Sequence, residues 1–121
     1  MQYLALIYGN EERWAALSDE ERTAMYERYR AFSDAAGEAG VVGGGAELAP
    51  TRDATTVRVR SDETLVTDGP YAEVKEALGG YFLLECGSMD EAVEWASQIP
   101  GAHYGAVEVR PVYVDPEEAQ L

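Results

Sequence analysis

Residues 2–8 read Gln2-Tyr3-Leu4-Ala5-Leu6-Ile7-Tyr8, and residues 81–86 read Tyr81-Phe82-Leu83-Leu84-Glu85-Cys86. Both runs suit β-strands, being short, apolar and rich in aromatic and branched side chains. In a strand, successive side chains point to opposite faces. Tyr3, Ala5 and Ile7 then share one face, and Leu4, Leu6 and Tyr8 the other. Likewise Tyr81 and Leu83 oppose Phe82, Leu84 and Cys86. Both faces of the sheet are therefore apolar, and both call for burial.

Working outward, Gly9 and Asn10 break the first run, and Ser18 opens a helix over about 19–39. Glu21 stands three residues after Ser18, the spacing of a capping box. Met25, Tyr29, Phe32 and Ala36 fall on one stripe of that helix, and Gly37 and Gly40 are its stop signals. Val41–Leu48 is a short glycine-rich strand, Pro50–Ala54 a turn, and residues 55–67 a hairpin turning at Ser61-Asp62-Glu63. Residues 68–78 form a loop, with one helical turn expected after Pro70. Gly79-Gly80 precede the strand at 81–86. Ser88 and Glu91 repeat the capping-box spacing and open a second helix, with Met89, Ala92, Val93, Ala96 and Ile99 on one face and Pro100-Gly101 ending it. Residues 106–114 form the last strand. The order is β-α-β-hairpin-β-α-β, an α+β ferredoxin-like plan with a β-hairpin inserted between its halves. Two helices cover one face of such a sheet. The chain has no element left for the other, so a second copy is expected there, making a homodimer through the open sheet face.

Length and composition agree with one domain, assigned to residues 1–114, followed by an acidic tail, 115–121, expected to fray. Twenty-three acidic residues against nine basic ones give a formal net charge of −14. Such a surface repels phosphate backbones and anionic headgroups, so direct nucleic-acid binding is not expected. No apolar run reaches the ~18 residues of a membrane span, and no basic leader precedes the first strand. The single cysteine, Cys86, forms no internal disulfide. These features lead to an expectation of a cytoplasmic, reducing environment.

The segment Asp68-Gly69-Pro70-Tyr71-Ala72-Glu73-Val74-Lys75-Glu76 is preceded by LVTDG and followed by LGGYFLLE, DEAVEWA and VEVRPV. Together these resemble the DGPF-domain branch of the YCII-related proteins over about residues 1–114. Tyr71 stands where that branch usually has Phe. The resemblance implies a dimeric α+β barrel, in agreement with the face count. Genes of that branch often neighbour those of extracytoplasmic-function sigma factors, so the resemblance also implies a regulatory or stress-linked role. Wider YCII relatives have been proposed to use a His–Asp pair, with His early in the first helix and Asp near the end of the second. Here the first helix has no histidine, and the second ends Ala96-Ser97-Gln98-Ile99-Pro100. That mechanism is not carried over.

Among the individual residues, the 68–75 loop is the leading candidate site. Gly69 permits positive φ and Pro70 fixes its own, so the loop is stiff. It can aim Asp68 as a hydrogen-bonding or acid/base group, Tyr71 as an aromatic wall, and Glu73 and Lys75 as charged contacts. The bland alternative is turn chemistry that ties the hairpin to the next strand. His103, the sole histidine, and Arg110 are secondary candidates; an exposed loop histidine and a cross-strand ion pair are their ordinary explanations. Arg58, Arg60 and Arg110 are expected to pair with Glu85 or Glu108 across strands. Gly43-Gly44-Gly45 lacks the Lys-Ser/Thr of a phosphate loop and enters a strand, so a bulge or close backbone approach is expected. One histidine and one cysteine exclude the usual zinc sets, and no cofactor is called for. The readings that follow are a small-molecule-binding or regulatory dimer, a cofactor-independent enzyme using the cleft beside the loop, or an interaction module without a ligand.

Overall fold

The computed structural model describes residues 1–119; the end of the acidic tail, 120–121, lies outside them. Strand β1 (Gln2–Gly9) is followed by a short helix α1 (Glu11–Ala15) and the long helix α2 (Asp19–Glu38). Strand β2 (Val42–Glu47) leads through a 3-10 turn at Thr51–Asp53 to the hairpin β3 (Thr55–Arg60) and β4 (Glu63–Asp68). Then come β5 (Ala77–Glu85), helix α3 (Met89–Ala96), a 3-10 turn at Pro100–His103, β6 (Ala106–Pro111) and a final turn of helix α4 (Pro116–Ala119). The main sheet is antiparallel in the order β2-β5-β1-β6, and β3-β4 form a separate two-stranded sheet. Setting the hairpin aside, the four strands and the two principal helices make the ferredoxin-like α+β arrangement.

Local chemistry explains the ends of α2. The Ser18 hydroxyl accepts from the Glu21 N–H at 3.1 Å, and the Glu21 carboxylate accepts from the Ser18 N–H at 2.9 Å, completing the capping box. These bonds hold the Glu21 carboxyl below its ordinary value. At the other end Gly40 takes φ +71°, its N–H reaches Gly37 O, and the Val41 N–H reaches Ala36 O. That is a Schellman stop, with buried Val41 as its apolar closure. Gly40 therefore ends the helix, while Gly37 lies within it. Helix α3 is capped differently: Ser88 accepts from Glu91 N–H, but the Glu91 carboxylate turns back to the Gly87 N–H at 2.8 Å.

The core lies between the sheet and the two principal helices. Tyr3, Ala5 and Leu84 from the sheet meet Phe32 and Ala36 of α2 and Ala92 and Ala96 of α3, with Ile99 closing the end. Phe32 sits between Phe82 and Trp95, at centroid distances of 5.0 and 6.4 Å. Cys86 is buried beside this cluster. Burial, reinforced by the Glu91 carboxylate, pushes its thiol pKa up, which favours the unreactive protonated form.

Several boundaries differ from expectation. Asn10 does not simply break the chain: its side chain caps α1 by accepting from the Arg13 N–H. Gly79 and Gly80 lie inside β5 rather than before it. Position 80 needs glycine because an added Cβ would lie 2.8 Å from the Ala46 carbonyl oxygen. The expected helical turn after Pro70 is absent, and residues 70–76 are irregular. Strand β6 stops at Pro111, leaving Tyr113 exposed. On α3, Ala92 and Ala96 are buried but Val93 is half exposed. The glycine run behaves as expected of a bulge: the register slips between Val42 and Gly44, and β2 and β5 then approach closely at Gly45.

Candidate functional site

The face that the helices leave open is built in two rows. Arg110, Leu4, Leu83 and Gly44 lie side by side across the four strands; Glu108, Leu6, Tyr81 and Ala46 form the next row. The centre of each row is apolar, as the alternation of β1 and β5 requires. Leu4, Leu6, Tyr8, Tyr81 and Leu83 are only partly buried in the single chain.

The hairpin carries a second apolar surface. Val57 pairs with Val66 across the ladder, and Val59 follows on the same face. All three are more than half exposed, at 61, 64 and 56 %. The two strands turn at Ser61 and Asp62, whose φ values of +50° and +64° fit a tight two-residue hairpin turn.

The 68–75 loop is anchored at the base of this hairpin. Asp68 is the last residue of β4, paired with Thr55. Gly69 takes φ +105°. Its N–H donates to Ala54 O at 2.7 Å, and its carbonyl accepts the Thr56 hydroxyl at 2.9 Å. Beyond Pro70, Tyr71 turns outward with 77 % of its surface exposed, and the Arg58 guanidinium lies over its ring, 4.9 Å from the centroid. Such cation–π contacts at exposed sites contribute about 0.5–1 kcal/mol. Asp68, Glu73 and Lys75 are also exposed. Among the described residues the Asp68 carboxylate accepts no hydrogen bond, so the stiffness of the loop comes from backbone and Thr56 contacts rather than from Asp68. Arg58 of β3 and Tyr71 of the loop therefore stand together on the Thr56 face of the hairpin, while Asp68, paired with Thr55, belongs to the opposite face, that of Val57 and Val66.

The expected cross-strand ion pairs are not formed. Arg58 is engaged with Tyr71, and Arg60 donates to the Val59 carbonyl at 2.9 Å. Glu108 receives only a long 3.5 Å contact from the Tyr8 hydroxyl. Among the described residues the ion pair that does form is Arg22–Asp19, within α2. Arg110 stands on the open sheet face opposite Leu4. Arg58 and Arg60 belong to the β3–β4 sheet and Glu85 and Glu108 to the four-stranded one, so they are not cross-strand neighbours, and exposed ion pairs contribute little in any case.

His103 sits elsewhere, at the end of the turn after α3, exposed and lining a groove with Arg28 and Tyr104. None of Asp68, Tyr71, Glu73 or Lys75 lines that groove. The fold does not bring His103 and the loop candidates into one pocket. Sequence reasoning missed the Arg58–Tyr71 contact. Its one available signal was the register: Arg58 lies on the same hairpin face as Thr56, which binds the loop. Among the described residues no group of three or more His, Cys, Asp or Glu side chains is arranged to hold a metal ion, and no helix is long and apolar enough to cross a membrane.

Comparison with known proteins agrees with this architecture. The model of the YCII-related domain matches residues 1–114. An uncharacterized protein of Rhizobium meliloti (strain 1021) is 40% identical over 114 residues, covering 93% of this chain and 92% of the relative. The match spans both halves of the ferredoxin-like unit, the inserted hairpin and its loop, and the chain belongs to the YCII-related family.

Proposed function

We propose that the protein works as a homodimer, joined through the open sheet face and the β3–β4 hairpin, and that the cleft between the copies binds a small molecule beside the 68–75 loop in a sensing or regulatory role. The supporting observation is the exposure of Val57, Val59 and Val66 on a hairpin that belongs to no larger sheet. A two-stranded hairpin alone is marginally stable in water, and a contiguous apolar patch of this kind marks an interaction surface. A second copy offers what the patch needs, because its own Leu4, Leu6 and Leu83 face is left partly open by the helices. Closing the two surfaces on each other removes the 68–75 loop from open solvent and brings Tyr71 and Arg58, and Asp68 from the opposite hairpin face, to the edge of a cleft. Asp68 supplies the hydrogen-bonding carboxylate, the Tyr71 ring a stacking surface, and Arg58 and Lys75 a counter-charge. The sigma-factor association comes from the resemblance alone and gives the regulatory side of the reading its direction.

The test is native mass spectrometry of the protein purified from cell extract under gentle conditions. The dimer is expected to carry a reproducible non-covalent adduct that is lost from Asp68→Ala and Tyr71→Ala while the dimer persists. A dimer that carries no adduct from its own host, or one whose adduct survives both substitutions, overturns the ligand reading.

A further inference from the structure

A second surface, on the helical side of the sheet, has its own chemistry. A groove of about 640 Å³ runs between α2 and the turn after α3. Its floor is apolar, made by Phe32, Ala35 and Pro100; its rim carries Arg28, Gln98, His103 and Tyr104. No acidic side chain lines it, on a chain with twenty-three acids. Arg28 is held in place at the rim: its guanidinium donates to the Tyr104 hydroxyl at 2.8 Å. Arg13, reaching across from α1, lies over the same tyrosine ring at 5.4 Å and donates to the Tyr104 carbonyl at 3.5 Å. Among the described residues neither arginine has a carboxylate within 4.0 Å.

We propose that this groove binds an amphipathic organic carboxylate, with its carboxylate on Arg28 and its apolar body on Phe32, Ala35 and Pro100. A guanidinium presents five N–H donors in a fixed fork. The Tyr104 oxygen accepts one of them, which orients the fork and leaves the others for a carboxylate in the two-pronged geometry that arginine favours. Arg13 adds a second positive charge without spending it on a protein acid. The apolar lining favours a ligand with a hydrocarbon body over an inorganic anion, because Ala31 and Ala35 are still exposed and are covered only on binding, above the already buried Phe32 and Pro100. The volume lies within the ordinary range of small-molecule sites, about 300–1,000 Å³. This site is separate from the 68–75 loop and stands or falls without it.

The experiment is a 1H–15N correlation titration of the unmodified protein with sodium phenylacetate, phenylacetamide, sodium acetate and inorganic phosphate. Phenylacetate is expected to give saturable shifts confined to amides of residues 28–35, 98–99 and 101–104. Its neutral amide, acetate and phosphate should bind at least tenfold more weakly, and Arg28→Gln should weaken phenylacetate by the same factor without disturbing the rest of the spectrum. Because Arg28 is exposed, the variant is expected to fold; should it not, the phenylacetate-to-phenylacetamide ratio on unmodified protein decides. Non-saturable shifts, shifts centred on 68–76, phosphate binding as tight as phenylacetate, or an amide that binds equally well would each overturn the proposal.

Discussion

Gly69→Ala and Asp68→Ala change adjacent residues of the same loop, yet the structure expects opposite outcomes. Gly69 carries the backbone geometry: φ +105°, a 2.7 Å hydrogen bond from its N–H to Ala54 and a 2.9 Å hydrogen bond from Thr56 to its carbonyl. A side chain there is strained whatever space surrounds it. Holding a non-glycine residue in such a conformation costs about 1–3 kcal/mol. Interpolating between small and larger domains, 1 kcal/mol moves Tm by roughly 3–6 °C in a chain of this size. Gly69→Ala should therefore lower Tm by about 6–12 °C at a cost near 2 kcal/mol. Asp68, exposed and with no hydrogen bond to its carboxylate, should behave as an ordinary surface position, within about 0.5 kcal/mol of wild type. Differential scanning calorimetry of both variants, at one protein concentration so that association contributes equally, separates them. Asp68→Ala should then keep its Tm and lose whatever ligand the protein retains. If Asp68→Ala melts as early as Gly69→Ala, its carboxylate holds the loop together, and the division into a backbone scaffold and recognising side chains is wrong.

Three other outcomes follow from the packing. At Gly45 an added Cβ would lie 2.6 Å from the Tyr81 carbonyl oxygen and 2.8 Å from the Phe82 ring, so Gly45→Ala should destabilise by about 1–3 kcal/mol as overpacking does, read by chemical denaturation with an unchanged m-value. Burial holds the Tyr29 phenol above its ordinary value, against the lowering effect of the Gly101 N–H. Its contribution to stability is thus complete below the unfolded value near 10 and is lost as pH rises through the folded one; Tyr29→Phe should flatten the fall in denaturation midpoint above pH 10, and an unchanged slope would show that Tyr29 is not the group titrating. Because His103 shares no pocket with the loop candidates, His103→Ala should change binding at the 68–75 loop by less than tenfold, or about 1.4 kcal/mol; a larger loss in calorimetric titration, with the fold intact, would place it in that site.

Much of this fold was legible because local and tertiary signals coincide. Ser18 and Glu21 fix the start of α2, Gly40 ends it, and the alternation in β1 and β5 marks one face for the helices and another left open. The errors have physical causes. Asn10 is equally suited to breaking a strand and capping a helix, and a five-residue helix leaves no periodicity to detect. Gly80 resembles turn chemistry in sequence, but its requirement for glycine comes from Ala46 on another strand, a contact no local reading contains. The expected pairs of Arg58 and Arg60 with Glu85 or Glu108 failed because the hairpin forms a sheet of its own, a separation that local charge alternation does not reveal. The loop at 68–75 was visible through Gly69 and Pro70, which impose shape locally. What covers it was not, since no element of the same chain lies over it. The groove at Arg28 was invisible for another reason: its defining partner, Tyr104, is 76 residues away.

The central claim is that Val57, Val59 and Val66 on the hairpin, with the Leu4, Leu6 and Leu83 face, are covered by a second copy. Sedimentation equilibrium tests it most directly, on the unmodified chain and on a Val57→Glu, Val66→Glu double variant at micromolar concentration. The expected result is twice the 13.2 kDa chain mass for the unmodified protein and the single-chain mass for the folded double variant. A unmodified protein that sediments as a 13.2 kDa monomer, or a double variant that still forms the dimer, would contradict it.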